Sequence, residues 1–94
     1  MALARVVSFD GVSKDRMEEM NQRIREEDPP EGMSPTEIVV LQDAENDKAL
    51  VIVFFETEDD YRRGDEVLAA MPADQTPGQR ASVTKYEVAV RATP

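Results

Sequence analysis

The longest apolar run in the chain covers residues 49–55, where seven consecutive side chains are hydrophobic. Five of the seven are β-branched or aromatic, a composition that favours a strand over a helix. Because a strand points successive side chains to opposite faces of its sheet, this strand is apolar on both faces and needs cover on both. A chain of 94 residues with two helices covers only one face of a small sheet. The run therefore predicts that a second copy of the protein covers the other face.

Shorter segments in which apolar residues recur with a period of two predict three further strands, over residues 3–9, 36–42 and 81–91. Arg5 falls on the same face of the first of these strands as Leu3. The last strand carries charged residues along one face, which is typical of the edge of a sheet. With the long apolar run, the chain thus has four strand segments.

Two segments show the apolar spacing of amphipathic helices. Ser13 is suited to cap the first helix, which runs to about Glu27 and ends before two prolines. Thr57 is suited to cap the second helix, whose apolar stripe includes Gly64. A glycine there lowers helix stability by about 1 kcal/mol relative to alanine. Its place on the stripe predicts a close approach of the helix to the sheet.

The order strand, helix, strand, strand, helix, strand predicts an α+β fold, the ferredoxin-like βαββαβ plait, in a single domain over residues 1–94. The turn-rich residues 43–47 join the second and third strands as a β-hairpin, and proline-containing loops occupy residues 29–35 and 72–80. Right-handed crossovers place both helices on one face of an antiparallel four-stranded sheet. The first and third strands then lie at its centre.

Charge and composition argue against several classes of function. The formal net charge of −9 leaves no basic surface for nucleic acid or anionic lipid. The absence of cysteine and histidine removes disulfides, thiolate nucleophiles, zinc–sulfur sites and imidazole bases. The carboxylate clusters consist of neighbours in sequence, so we expect solvated surfaces, no metal site and no cofactor. We also expect a cytoplasmic protein, because neither a signal peptide nor an apolar span of roughly 20 residues is evident.

This pattern resembles a known superfamily. A lone βαββαβ domain of this length, with an apolar third strand and an uncovered sheet face, is similar to the dimeric α/β barrels, in particular to the domains named after antibiotic-biosynthesis monooxygenases. The resemblance runs from Leu3 to about Arg91 and rests on element order, length and hydrophobic placement. It implies a homodimer in which two sheets pack face to face, and a pocket in each subunit between the sheet and its own helices. Family members rely on histidine or tryptophan, which this chain lacks, so no catalytic residue is carried over.

Five polar residues are candidates for such a pocket. Arg5 either holds a ligand carboxylate or carbonyl, or pairs with Glu87 on the neighbouring strand inside the dimer interface, and we favour the pair. Tyr61 and Tyr86 each present a hydroxyl to a pocket or find one hydrogen-bond partner in the core. Asn21 lies beside the apolar stripe of the first helix, at its boundary or turned toward the pocket.

Three functions stay open at this point. The missing catalytic residues favour a non-catalytic dimeric module that binds a partner or a small ligand. The alternative is a cofactor-independent monooxygenase or isomerase acting on a small apolar or aromatic substrate, which rests on fold analogy. A regulatory domain that binds a metabolite at the dimer interface is the third. The methionines at 17, 20, 33 and 71 either line an adaptable apolar pocket or fill the core.

Overall fold

The computed structural model describes residues 2–72 and 75–94. Its elements follow in the order β1 (Leu3–Asp10), α1 (Lys14–Glu26), β2 (Glu37–Asp43), β3 (Lys48–Phe55), α2 (Glu58–Ala69) and β4 (Gln79–Glu87). This order confirms the predicted α+β arrangement of four strands and two helices. Ala73 and Asp74, which belong to the loop predicted over residues 72–80, lie outside the described residues, as does Met1.

The four strands form one antiparallel sheet in the order β2-β3-β1-β4. The strand order is compatible with a ferredoxin-like plait. Strands β1 and β3 lie at the centre and β4 lies at an edge, as predicted. Arg5 on β1 is opposite Val53 on β3 and Lys85 on β4. A residue of β1 therefore has neighbours from the second half of the chain on both sides.

Both helices pack on the same face of the sheet, which we call the helix face. One buried cluster joins Phe55 and Leu3 to Tyr61 of α2, and a second joins Val7 to Met17 of α1. The buried strand residues of both clusters occupy odd-numbered positions of β1 and β3, and odd positions of paired strands share a face in this register. The opposite side, which neither α1 nor α2 covers, is the open face.

Side-chain caps at the start of each helix confirm the two predicted boundaries. The Ser13 hydroxyl accepts a hydrogen bond from the Arg16 amide at 3.4 Å, and the Thr57 hydroxyl accepts one from the Asp60 amide at 3.1 Å. Each cap satisfies an amide that has no partner within its own helix. The helix starts are thus determined by local sequence.

Gly64 brings α2 against the sheet, as its position on the apolar stripe predicted. A Cβ atom at this residue would lie 2.5 Å from Cε1 of Phe55, well inside van der Waals contact. The Phe55 ring is completely buried, so it has little room to move aside. The close contact between helix and strand therefore requires a residue without a side chain.

The strand predicted over residues 81–91 ends at Glu87, four residues earlier. Glu87 is opposite Leu3, the first residue of β1, so β4 has no partner on β1 beyond that point. The Val88 amide still donates to the Ala2 carbonyl at 2.9 Å, and the chain then brings Arg91 to one end of the open face. The Arg91 guanidinium lies 4.6 Å from the centroid of the Phe54 ring and forms an ion pair of 3.2 Å with Glu37.

Candidate functional site

A cavity of about 350 Å³ lies between the helix face of the sheet and the helices. Its walls are mostly apolar, and the side chains come from the strands, from both helices and from the segment that follows α1. Representative wall residues are Val7, Val53, Ile38, Met20, Ile24 and Leu68. Small-molecule sites in proteins are typically apolar cavities of roughly 300–1,000 Å³ with a few polar groups inside. This cavity is therefore the candidate functional site.

Arg5 lies at the sheet side of this cavity on the central strand β1. Its side chain is only 4% exposed, and its Nε donates a hydrogen bond of 2.8 Å to Oδ1 of Asp65 on α2. A buried guanidinium needs an anionic or hydrogen-bonding partner, because burial removes its hydration. Asp65 does not line the cavity, so it binds Arg5 from outside the cavity.

The predicted pair of Arg5 with Glu87 is wrong. In the observed register Glu87 is opposite Leu3, and Arg5 is opposite Lys85. Arg5 also lies on the helix face and not in a sheet-to-sheet interface. Because both faces of β3 are apolar, the sequence pattern gives no sign of which face the helices cover. The partner that the structure gives to Arg5 therefore comes from α2.

Arg80 is a further, half-buried arginine that lines the cavity, and it was not predicted from the sequence. Its Nη2 donates to the Leu68 carbonyl at 3.2 Å, and its Nε is buried with no hydrogen-bond partner among the described residues. The last turn of α2 contains no basic residue, so Arg80 supplies the positive charge that stabilises a helix C-terminus. It does so while its buried Nε is left without an acceptor among the described residues.

A β-bulge in β4 directs Arg80 toward the cavity. The register of β1 with β4 shifts between Ser8 and Phe9, so Ser8 is opposite Ser82 whereas Phe9 is opposite Arg80. The extra residue is Ala81. Bulges change the face on which a side chain lies. Simple alternation along β4 would place residue 80 on the same face as residues 82 and 84, so the alternating pattern carries no signal for this position.

The other four predicted residues do not line the cavity. Tyr61 packs edge-on against Phe55, with ring centroids 5.7 Å apart, and Lys85 Nζ lies 4.9 Å from the centre of the Tyr61 ring. Burial, together with the negative charge of Asp65, raises the pKa of the Tyr61 hydroxyl. The phenol is therefore neutral at physiological pH and is a poor candidate for a base.

Asn21, Tyr86 and Glu87 lie in three different surroundings. Asn21 is on α1, and its Oδ1 is buried without a hydrogen-bond partner in the described part of the chain. Tyr86 is 55% exposed on the open face, and Glu87 is exposed at the end of β4. Of the five predicted residues, the cavity includes Arg5. A ligand role stays a prediction for all five.

Within residues 2–72 and 75–94, no group of three or more acidic side chains is arranged to hold a metal ion. In the same part of the chain, no helix has the length and apolar character needed to cross a membrane. The polar chemistry of the cavity is therefore carried mainly by Arg5 and Arg80 and by charged residues at its rim, which include Arg23, Glu27 and Asp28.

Comparison with protein-family models, with curated proteins and with solved structures finds no significant match to this chain.

Proposed function

We propose that the protein binds a small, mostly apolar molecule in the cavity between its sheet and its helices, without catalysing a reaction, and that it acts as a homodimer. The observation that supports binding is the cavity of about 350 Å³, which has apolar walls and a buried arginine. A well-packed domain of this size has few voids larger than a water molecule. A cavity this large next to a buried charge is typical of a ligand site.

The chemistry around the cavity favours binding over catalysis. Arginine binds and orients anions, but it is not deprotonated in proteins and cannot serve as a general base. The chain has no histidine or cysteine, and Tyr61 lies outside the cavity with a raised pKa. Glu27 and Asp28 are exposed at the rim, where water solvates them. The groups inside the cavity are thus suited to recognition.

The alternative, a cofactor-independent monooxygenase or isomerase, uses the same cavity. Arg5 would then stabilise negative charge that develops on a substrate oxygen, as positioned hydrogen-bond donors do in many enzymes. Turnover of a quinol or ketone panel that is lost in Arg5→Gln, with the fold intact by circular dichroism, would favour this alternative over a non-catalytic role.

The binding proposal is tested by nuclear magnetic resonance on methyl-labelled protein, with small aromatic and aliphatic molecules as probes. We expect shifts of the methyl groups of Val7, Val53 and Ile24, while Leu50 on the open face does not respond. Ile24→Trp fills the cavity and should abolish these shifts. Leu41→Trp adds the same side chain to the open face and should leave them unchanged. Shifts that persist in Ile24→Trp would contradict binding in the cavity.

The homodimer is supported by the open face. Over β2 and β3 this face presents a continuous apolar patch, which includes Val39, Leu41, Leu50 and Ile52. Leu41 is 49% exposed and Leu50 is 37% exposed. Exposed apolar patches mark interaction surfaces, and burial of each such side chain contributes roughly 1.5–3 kcal/mol. A second copy offers the same patch, in agreement with the resemblance to dimeric α/β barrels.

Sedimentation velocity tests the dimer at micromolar concentration. We expect a dimer for the wild-type protein and a folded monomer for Leu50→Lys. Since each copy carries a net charge of −9, screening by added salt should strengthen the association. A wild-type monomer at both low and high salt would contradict the proposal. Lys85→Ala on the helix face is a control that should remain dimeric.

A further inference from the structure

Three arginines line the cavity of this acidic protein: Arg23 is exposed at the rim, whereas Arg5 and Arg80 are more deeply buried. Arg5 approaches it from β1 and Arg80 from β4, whereas the acidic residues Glu27 and Asp28 lie at the exposed rim. The chain as a whole has a net charge of −9, so a positive interior is not a consequence of composition. The inside of the cavity thus differs in charge from the protein surface.

We infer that the ligand is an amphiphilic monoanion, a carboxylate on an apolar body, whose carboxylate is bound by Arg5 and Arg80. This inference rests on the proposed function and adds to it the chemical class of the ligand. Two sets of observations support it. The first is which hydrogen bonds Arg5 and Arg80 form, and the second is the volume of the cavity and the apolar residues that line it.

Arg5 is only partly neutralised. A guanidinium has five N–H donors, and among the described residues Arg5 forms one side-chain hydrogen bond, from Nε to Asp65. The Asp65 side chain is 45% exposed, so water screens part of its charge, whereas that of Arg5 is 4% exposed. The terminal nitrogens of Arg5 are left for a group in the cavity. A carboxylate matches two parallel N–H donors of arginine and can be bound by both.

Arg80 has a donor in need of an acceptor. Its Nε is buried and makes no hydrogen bond in the described part of the chain, although buried donors are almost always paired in native proteins. The bond from Nη2 to the Leu68 carbonyl fixes the guanidinium at the end of α2. The bulge at Ala81 places this side chain on the helix face. Among the described residues Arg80 forms no ion pair with a carboxylate, so an anion in the cavity would offset its charge.

The apolar walls and the volume describe the rest of the ligand. At the roughly 30 Å³ that one water molecule takes up in the liquid, a cavity of about 350 Å³ holds about a dozen non-hydrogen atoms. Most of these atoms face hydrophobic side chains, which disfavours a second charge. A medium-chain or phenyl-substituted carboxylic acid has this size and polarity.

Calorimetry with three probes that share one apolar body tests the inference. The probes are 4-phenylbutanoate, 4-phenylbutan-1-ol and 4-phenylbutylamine, at pH 7. We expect the carboxylate to bind at least tenfold more tightly than the alcohol, and the amine to bind more weakly than either. In Arg80→Gln the affinity for the carboxylate should fall about tenfold while that for the alcohol stays the same. Arg80→Lys should retain part of the preference.

Two further variants separate local recognition from general electrostatics. Asp65→Asn removes the carboxylate that competes for Arg5, so we expect tighter binding of 4-phenylbutanoate. Arg63→Gln changes the net charge by the same amount as Arg80→Gln, but Arg63 pairs with Asp60 on the surface of α2. This control should leave all three affinities within twofold of wild type. Thermal unfolding of each variant verifies that it is folded.

The outcomes distinguish this inference from the proposed function. If the alcohol binds as tightly as the carboxylate, or Arg63→Gln weakens the carboxylate as much as Arg80→Gln does, the inference is wrong while binding in the cavity stands. If none of the three probes binds, both fail. A carboxylate preference that Arg80→Gln removes and Asp65→Asn strengthens supports the inference.

Discussion

The two faces of the sheet use similar apolar side chains in different ways. On the helix face, Val7, Val53 and Phe55 are at most 3% exposed, because the protein's own helices cover them. On the open face, Leu50 is 37% exposed and Phe54 is only partly buried, under the C-terminal residues. Neighbours in sequence along β3 therefore belong to different environments. The hydrophobic sequence of β3 thus identifies it as a buried strand, but it does not indicate which part of the structure covers each of its two faces.

The largest effect should come from truncating one phenylalanine on each face. Phe55→Ala removes a completely buried ring and should lower the free energy of unfolding by about 3–5 kcal/mol. Phe54→Ala, one residue earlier and on the open face, should cost less, about 1–3 kcal/mol within one chain, because its ring is only partly buried. Urea unfolding at two protein concentrations measures both, and separates loss of the fold from loss of association. Equal losses in the two variants would contradict the distinction between the faces.

Gly64→Ala tests the close packing on the helix face. The added methyl group would overlap the Phe55 ring, and overpacking of this kind typically costs about 1–3 kcal/mol. The better helix propensity of alanine offsets about 1 kcal/mol of that cost. We therefore expect a net loss in the free energy of unfolding, measured by urea titration.

The control for this prediction is a double-mutant cycle with Phe55→Leu, which removes the ring that the methyl group meets. In the Phe55→Leu background, Gly64→Ala should cost less than it does in the wild-type protein. The same cost in both backgrounds would show that the ring does not set the requirement for glycine.

A smaller effect is expected where the C-terminal residues meet the open face. Arg91→Ala removes the cation–π contact with Phe54 and the exposed ion pair with Glu37, at a cost of about 0.5–1 kcal/mol. Arg62→Ala is a matched control, because Arg62 forms one exposed ion pair of 3.0 Å with Asp59 on α2. It should cost no more than a few tenths of a kcal/mol. If the two variants lose the same free energy of unfolding, the contact between Arg91 and Phe54 does not contribute to stability.

The smallest effect at neutral pH concerns Tyr61 on the helix face. Its folded-state pKa lies above the ordinary value of about 10, so the neutral phenol is favoured in the folded protein. The contribution of this group to stability is complete below pH 10 and is lost as the pH rises through the folded-state pKa. Tyr61→Phe should therefore lose less stability than wild type between pH 9 and pH 11, measured by thermal unfolding. An equal loss of stability in Tyr61→Phe and in the wild-type protein over this pH range would contradict the prediction.

Local signals made much of the fold predictable. The caps at Ser13 and Thr57 and the glycine on the stripe of α2 depend on neighbours in sequence, and all three predictions are confirmed. The predicted end of β4 at Arg91 was wrong because strand length depends on the partner strand, which ends at Leu3. Where an element ends thus depends on residues far away in sequence.

The candidate site was less predictable for the same physical reason. Alternation along β1 correctly placed Arg5 with the apolar residues, but its partner Asp65 is set by how α2 lies across the sheet. Arg80 was missed because it was assigned to the loop predicted over residues 72–80, whereas β4 begins at Gln79, and the bulge at Ala81 then turns Arg80 to the helix face. Site residues that depend on register and on helix placement require the three-dimensional structure.

The position of β1 at the centre of the sheet also has a consequence for how the chain folds. This strand pairs only with β3 and β4 within the sheet, so Leu3 contacts residues opposite it as far away as Phe55 and Glu87. Long separations of this kind slow folding, because a large loop must close before any pairing energy is gained. During synthesis β1 is made before both of its partners, so one of its edges stays unpaired until β3 is made and the other until β4 is made. We expect the sheet to be completed only after β4 has been synthesised, and until then the unpaired edge of β1 is exposed to wrong pairing.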